Sequence, residues 1–427
     1  MKEVTANFDA KAIERDVQAF WSKEDTYRKV REIRKVGKPF FFVDGPPYTT
    51  GYIHLGTAWN KILKDSILRY HRMNGRHVID RAGYDMHGLP IEVKVEQALG
   101  FTSKKDIEAF GIEPFIIKCR EFAIKNKLIM DEQFASLGVW LDFPGAYQTV
   151  TPDYIEAAWW TLAKAQEKGM LERGHRVVNW CPRCETAIAD AEVEYWDETD
   201  PSIFVKFPLT GKENEYLVIW TTTPWTLPAN VAVAVAKDFI YAKVKALKDG
   251  KEEVLWMADD LVDSVLRKGR YRDFSVLDKQ LGSVLVGWEY DSPLAHVVPN
   301  QKSMKHRVVA ADFVAMENTG MVHIAPGHGW DDYVLGAKEG LAVVCPVDGA
   351  GKFTADAGIF AGKFVKEADA GVLEALGPAL MAKASVVHRY GHCWRCKTPI
   401  IFRATSQWFL KAAEMRDLML EEVAKVT

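Results

Sequence analysis

Two short cysteine knuckles, Cys181-Pro-Arg-Cys184 and Cys393-Trp-Arg-Cys396, carry the plainest chemistry in this 427-residue chain. Each sets two thiolates at the spacing that a tetrahedral Zn²⁺ grips. A lone CxxC says little, but two of them, with Pro182 and Trp394 stiffening the turns, point to one ion held by four sulfurs. Four protein thiolates leave no open position for water or substrate, so the metal reads as structural. If one ion takes both knuckles, the stretch 185–392 is an insertion closed at its base by a zinc clasp. Four unliganded thiols are the plainer alternative. Arg183 and Arg395 occupy the same place in each knuckle and are candidates to offset the negative charge of a four-thiolate centre.

Three further stretches carry polar chemistry. The first is the loop Asp44-Gly-Pro-Pro-Tyr-Thr-Thr-Gly51, followed by His54-Leu-Gly-Thr57. Pro46 and Pro47 stiffen the turn, and Gly45 and Gly51 let the backbone approach a ligand. His54 and Thr57 flank Gly56 at an expected helix N-terminus, whose free N–H groups and positive dipole suit a phosphate. The same residues also read as a capped strand-turn-helix with a surface histidine. The second stretch is Gly83-Tyr-Asp-Met-His-Gly-Leu-Pro-Ile-Glu92, at the end of an expected strand. There Asp85 could pair an α-ammonium group or simply cap a helix. The third is split. Trp220-Thr-Thr-Thr-Pro-Trp-Thr-Leu-Pro-Ala-Asn230 lines up hydroxyls on extended backbone, or is a Thr-rich edge strand. Gly320-Met-Val-His-Ile-Ala-Pro-Gly-His-Gly-Trp-Asp-Asp-Tyr333 gathers two His and two Asp with no spacing that fixes a metal geometry.

Elements must position these groups. Residues Ala12 to Lys35 read as one amphipathic helix with a basic end. A short apolar strand over 39–43 runs into the Gly-Pro loop. A helix over 55–73 has Ala58, Ile62, Leu63, Ile67 and Tyr70 on one face, and a strand over 77–80 follows. Strand, loop, helix and strand make the opening unit of a doubly wound parallel α/β sheet. Helices are expected over 113–137 and 152–168, with Trp159 and Trp160 in a core. After Glu194 the pattern turns strand-rich and α+β until about His388: strands over 203–207, 216–221, 231–235, 241–244 and 254–257, and a helix over 259–268.

Bulk properties narrow the class. The net charge of −3 neither announces nor excludes a nucleic-acid partner, because a local basic face can hide in a neutral total. The 48% hydrophobic content supports large cores. No apolar run spans a bilayer. The charged opening, residues 1–16, lacks the apolar core of a signal peptide. Cys119 and Cys345 stand alone and read as core, so the cysteines form no disulfide framework, and a reducing, cytoplasmic setting is expected.

The run Pro46-Pro-Tyr-Thr-Thr-Gly-Tyr-Ile-His-Leu-Gly-Thr57 resembles the first signature of class I aminoacyl-tRNA synthetases, with Thr57 in place of the usual second histidine. Gly83 to Glu92 is similar to the run carried by the isoleucine-specific members, and unlike the Gly-Thr-Asp-His-Ala-Gly type of the valine-specific ones. The paired knuckles, the threonine-rich stretch and the 320–333 segment resemble that group in the same order, over essentially the whole chain and in an archaeal-like form. The resemblance implies an N-terminal part of such an enzyme: residues 1–198 as half of a Rossmann-like catalytic domain with the first knuckle, 199–387 as an editing insertion, and 388–427 as the second knuckle and the return.

On the resemblance, His54 and Thr57 act at the ATP phosphates, with Gly45 and Gly56 also against ATP and its Mg²⁺. Pro46 and Asp85 take the amino acid. Thr221, Thr222, Thr223, Thr226, Asn230, His323 and Asp332 form a hydrolytic editing pocket, where Asp332 holds the ammonium of a misattached residue and His323 limits its size. The water is helped by the substrate's own ribose hydroxyl. The expected partners are isoleucine-specific tRNA, isoleucine and ATP, with no membrane, and a monomer is expected. One missing methylene gives a pocket only about 1–3 kcal/mol, a figure established for enzymes of this same kind rather than obtained from this chain, so a second, corrective site is needed. The second class signature, Lys-Met-Ser-Lys-Ser, is not present in these residues, so a fragment with little adenylate-forming activity is expected. Valine- or leucine-specific synthetases, and a non-catalytic zinc-stabilised tRNA-binding or editing module, are the rival readings.

Overall fold

The structure is a computed structural model that describes residues 9–426. The first eight residues, on which the signal-peptide expectation partly rests, lie outside it. The chain divides into two compact units, Met1–Met170 and Leu171–Thr427.

In the first unit the expected opening helix is two, α1 (Ala10–Lys23) and α2 (Thr26–Arg34), broken at Asp25, whose φ of 49° is left-handed. Then come β1 (Pro39–Val43), α3 (Leu55–Met73) and β2 (His77–Tyr84). Helices α4 (Leu89–Leu99), α5 (Lys104–Phe110) and α6 (Ile112–Ser136) lead to β3 (Asp142–Gln148) and α7 (Pro152–Glu167). The strands form a parallel sheet in the order β1-β2-β3, with Val43 opposite Arg81 and Gly83 opposite Tyr147. A right-sized helical crossover joins each pair, as parallel strands require.

Helix α3 packs by the face opposite to the apolar one. Ile62, Leu63, Ile67 and Tyr70 are exposed, while Lys61, Asp65, Leu68 and Arg72 are buried. The cations of this face are matched: buried Lys61 and half-buried Lys64 pair with Asp44, half-buried Arg69 with Asp65 of the same helix, and buried Arg72 with Asp80. Removing one partner of a buried pair leaves an uncompensated charge, so Lys61–Asp44 and Arg72–Asp80 fix how the helix is seated on the strands. Trp159 and Trp160 are also exposed, not core.

The second unit opens with β4 (Leu171–Cys181) and β5 (Thr186–Ile188). Its large sheet uses β6 (Val193–Pro208), β7 (Glu215–Thr221), β8 (Ala232–Val235), β9 (Ile240–Lys248), β10 (Lys251–Ala258), β11 (Asp273–Leu281), β12 (Glu289–Tyr290), β13 (His306–Ala310), β14 (Met321–Ile324) and β15 (Leu380–Cys393). A last strand, β16 (Ile401–Leu410), pairs with β4. The sheet runs β11-β9-β10-β7-β14-β8-β13-β12, with β6 on β7 and β15 on β6. Its core joins Phe207, Leu217, Ile219, Trp225, Val233 and Val308 with Phe360, Val365 and Val372 of the helical C-terminal part.

Two placements matter for chemistry. Strand β14 lies between β7 and β8, so His323 sits beside the threonine turn that leaves β7. Strands β6 and β15 form a long antiparallel ribbon whose last pair is Val193 with Cys393. The ribbon thus ends at the second knuckle, while the first lies in the turn between β4 and β5 that precedes it.

Candidate functional sites

In the first unit the Gly-Pro loop and the end of β2 are laced together. The Asp85 N–H donates to the Pro47 carbonyl at 2.9 Å, and the Thr49 N–H donates to the Asp85 carbonyl at 3.1 Å. The Tyr147 hydroxyl donates to the Asp44 carbonyl. Gly83 makes room for this tyrosine, since a Cβ there would lie 2.1 Å from its ring. Asp85 is half-buried. Burial pushes its carboxyl up, while His87 and the Thr149 hydroxyl draw it down. No ion pair to it exists among the described residues, so a cationic ligand group would supply the missing charge.

His54 caps α3. Its Nδ1 accepts from the Thr57 N–H at 3.2 Å, which leaves Nε2–H to donate to Thr57 Oγ1 at 3.1 Å. The residue in the second histidine's place is thus bonded to the first. Gly56 lets the imidazole fold over the helix end, because a Cβ would meet ring atoms at 3.0 Å. His54, Gly56 and Thr57 therefore sit together at an open helix N-terminus, with Gly45 in the loop before it. The laced loop carries Pro46 beside Asp85's strand end.

In the second unit a cavity of about 270 Å³ is lined by Thr221, Thr222, Thr223, Thr226, His323 and Asp332. All four threonines of the 220–230 stretch line it, and Asn230 stands behind His323. The hydrogen bonds fix the histidine's state. Asn230 Nδ2 donates to the Ala232 carbonyl at 2.9 Å, which can only accept, so the amide orientation is set. Its second hydrogen goes to His323 Nδ1 at 3.1 Å. The proton of His323 is then on Nε2, which donates to Thr226 Oγ1 at 2.8 Å, and Thr226 donates to the Thr223 carbonyl. Burial holds this imidazole down to about 4. It is neutral with both nitrogens engaged, so it forms a wall and has no lone pair free to act as a base.

Thr221 Oγ1 accepts from the Thr223 N–H at 3.1 Å. The Thr222 hydroxyl has no partner among the described residues and is available to an occupant. Asp332, in the first turn of the helix Trp330–Glu339, accepts from the Ala325 N–H at 2.8 Å. Burial raises its carboxyl to about 6, with Asp331 adding to the rise.

Sequence reasoning missed the support behind this wall. The buried Tyr290 hydroxyl donates to Asn230 Oδ1 at 2.7 Å, and Gln301 Nε2 donates to the Asn230 carbonyl at 2.9 Å. Neither lies near a motif, and only the long-range β8–β13–β12 pairing brings them in. Tyr290→Phe leaves Asn230 Oδ1 buried without a donor and is expected to cost about 1–3 kcal/mol of stability, measured by denaturant unfolding. His328 was also missed as a lining residue, although it lies inside the quoted 320–333 segment. Its Nδ1–H donates to the Phe402 carbonyl at 3.0 Å, and its Nε2 is buried without a partner.

The four knuckle sulfurs lie within 4.8 Å of one another, and among the described residues no other group gathers ligand atoms this way. The two His and two Asp of 320–333 do not. All four cysteines are free thiols, three of them buried. Crowding splits them, with Cys184 pushed up and Cys396 drawn down, each first by its hydrogen bond with Cys181. Such a set fits a thiophilic tetrahedral ion and leaves no open coordination position. Arg395 donates to Glu192 Oε1 at 2.7 Å, so it bonds a carboxylate rather than a cysteine sulfur.

Residues 16–427 match the family described as tRNA synthetases class I (I, L, M and V). The chain belongs to this family. It is 77% identical over its whole length to an isoleucine–tRNA ligase of Methanoregula boonei, covering 40% of that protein. Similar proteins of the same name from Methanoculleus marisnigri and Methanospirillum hungatei are 68% and 66% identical, again with 40% of their length covered. The chain thus spans about 40% of the length of the curated relatives it matches. Among solved structures, a LeuRS–tRNA–LeuAMS ternary complex from Agrobacterium radiobacter K84 aligns with 94% of this chain and 52% of that one, at 17% identity and a TM-score of 0.37. No helix among the described residues is long and apolar enough to cross a membrane.

Proposed function

We propose that this chain carries the amino-acid-activating entrance and the editing site of an isoleucyl-tRNA synthetase. The observation that supports it most is the second-unit cavity: an unpartnered hydroxyl, a neutral histidine wall and a half-hidden carboxylate without a cation. An aminoacyl ester on ribose has the complementary groups. Its ammonium pairs with Asp332, its ribose and ester oxygens meet Thr222 and its neighbours, and His323 bounds the side chain. Both His323 nitrogens are bonded within the protein, so the attacking water takes its help from the substrate's ribose hydroxyl. Valine fits the bounded space, and isoleucine with one more methylene does not.

In the first unit, ATP with Mg²⁺ would lie against Gly45, His54, Gly56 and Thr57, and isoleucine against Pro46 and Asp85. The isoleucine carboxylate attacks the α-phosphorus and pyrophosphate leaves. A ribose hydroxyl of the terminal adenosine of isoleucine-specific tRNA then attacks the adenylate's carbonyl carbon, the ester forms and AMP leaves. Residues 1–198, 199–387 and 388–427 are the catalytic half, the editing insertion and the return, with a Rossmann-like sheet in the first. Zn²⁺ would be held by Cys181, Cys184, Cys393 and Cys396, where it supplies a rigid cross-link. The relatives' names support the amino-acid assignment. A monomer acting in the cytoplasm completes the proposal.

The test is deacylation by the intact protein of tRNA charged with valine and, separately, with isoleucine. Faster release of valine, by about tenfold or more, is the expected result. Equal rates, or none, would remove the reading.

A further inference from the structure

A second cavity, of about 420 Å³, adjoins the first and shares Thr223, Thr226, His328 and Asp332 with it. Its outer lining has a different character. Tyr195 and Trp330 are 57% and 51% exposed, and Phe402 is 42% exposed. Arg389 joins them from the β15 side of the ribbon, with Nη2 donating to the Tyr195 carbonyl at 2.7 Å. Its closest carboxylate oxygen, on Asp197, is 3.9 Å away, and both side chains are about 70% exposed, so the pair is loose. Exposed flat rings beside a guanidinium that has only a loose carboxylate partner make a platform for unpaired bases. Every base has a π-face to stack, and an arginine nearby can take a phosphate.

The charge balance sharpens this. Asp331 and Asp332 also line the groove, so it is not a general track for a polyanion. One cation set among rings and carboxylates suits one stacked nucleotide whose base presents amino hydrogens. The wall between the cavities has the same bias. His328 is only 6% exposed, its Nδ1–H is spent on Phe402, and the lone pair on Nε2 has no protein donor.

We infer that this groove binds the nucleotide preceding the terminal adenosine, with its base stacked on Trp330 and Tyr195 and its phosphate met by Arg389. The inference rests on the reading of the first cavity as the hydrolytic site. It makes the groove a tRNA-reading extension that an aminoacyl-adenosine ester is too short to reach.

The test compares two substrates in the intact protein, valyl-tRNA and the minimal 2′(3′)-O-valyl-adenosine ester. Trp330→Ala and Arg389→Gln are each expected to raise KM for valyl-tRNA by about tenfold, the size of one lost stacking or phosphate contact, with kcat nearly unchanged. Hydrolysis of the minimal ester should stay within about twofold, and Trp330→Phe should restore tRNA binding. Unchanged valyl-tRNA kinetics in both variants, or equal losses on both substrates, would overturn the groove's role. Failure of the unmodified protein to hydrolyse either substrate would instead overturn the hydrolytic reading itself.

Discussion

Asp332→Asn is expected to lower valyl-tRNA deacylation about a hundredfold while leaving the protein as stable as before, or more stable, at pH 7. The carboxylate is half-hidden and, among the described residues, bonded only to the Ala325 N–H, and its pKa is raised from 3.8 to about 6, first by burial. A folded-state pKa above the unfolded one means the folded chain holds this proton more tightly. The group's contribution to stability is therefore greatest below about pH 4 and declines as pH rises towards 6. At neutral pH the ionised form costs on the order of 1–3 kcal/mol. Asparagine keeps an acceptor for Ala325 and removes that cost, so the thermal midpoint should hold or rise by a few degrees. The bound ammonium, however, loses its counter-charge, and a charge-assisted bond of about 3 kcal/mol corresponds to about a hundredfold. In the unaltered protein the same logic predicts that KM for valyl-tRNA climbs as pH falls below about 6. A variant that kept full deacylation, or that melted well below the parent, would sink this assignment.

The residues of both candidate sites could be picked out because they are contiguous. His54 to Thr57, Gly83 to Glu92, Thr221 to Asn230 and His323 to Asp332 are each short enough to be read as units, and the cavity draws residues from two of them. Strand periodicity also located β7, β8, β9 and β10. What escaped was set by long-range pairing. The apolar stripe of α3 marks a face but not its destination, and the buried Lys61–Asp44 and Arg72–Asp80 pairs decide that the polar face turns inward. Trp159 and Trp160 look like core from composition alone, yet nothing in their unit covers them. Tyr290 reaches Asn230 across sixty residues of chain, a contact that no local pattern encodes. Residue chemistry was readable, then, but the support that fixes the histidine's tautomer was not.

The knuckles lead to the other large effect. Cys184→Ser together with Cys396→Ser is expected to reduce bound zinc from one ion per chain to none, measured by metal analysis, and to lower the thermal midpoint by about 10 °C. Four sulfurs within 4.8 Å join the turn between β4 and β5 to the end of β15, where Val193 pairs with Cys393. Cutting that link restores to the unfolded chain the freedom of a loop about two hundred residues long, which for a covalent cross-link of that size is worth about 5 kcal/mol. A metal bond adds its own binding free energy, and that term makes stability depend on zinc concentration. Neither cavity is lined by a cysteine. At temperatures where the variant is folded, cleavage of the minimal valyl ester should therefore proceed at nearly the parent rate. Activity lost in parallel with zinc, without a fall in the midpoint, would mean that the metal acts on the reaction. A fall in the midpoint with the rate retained means that it holds the ribbon, and through the ribbon the cavity, in place.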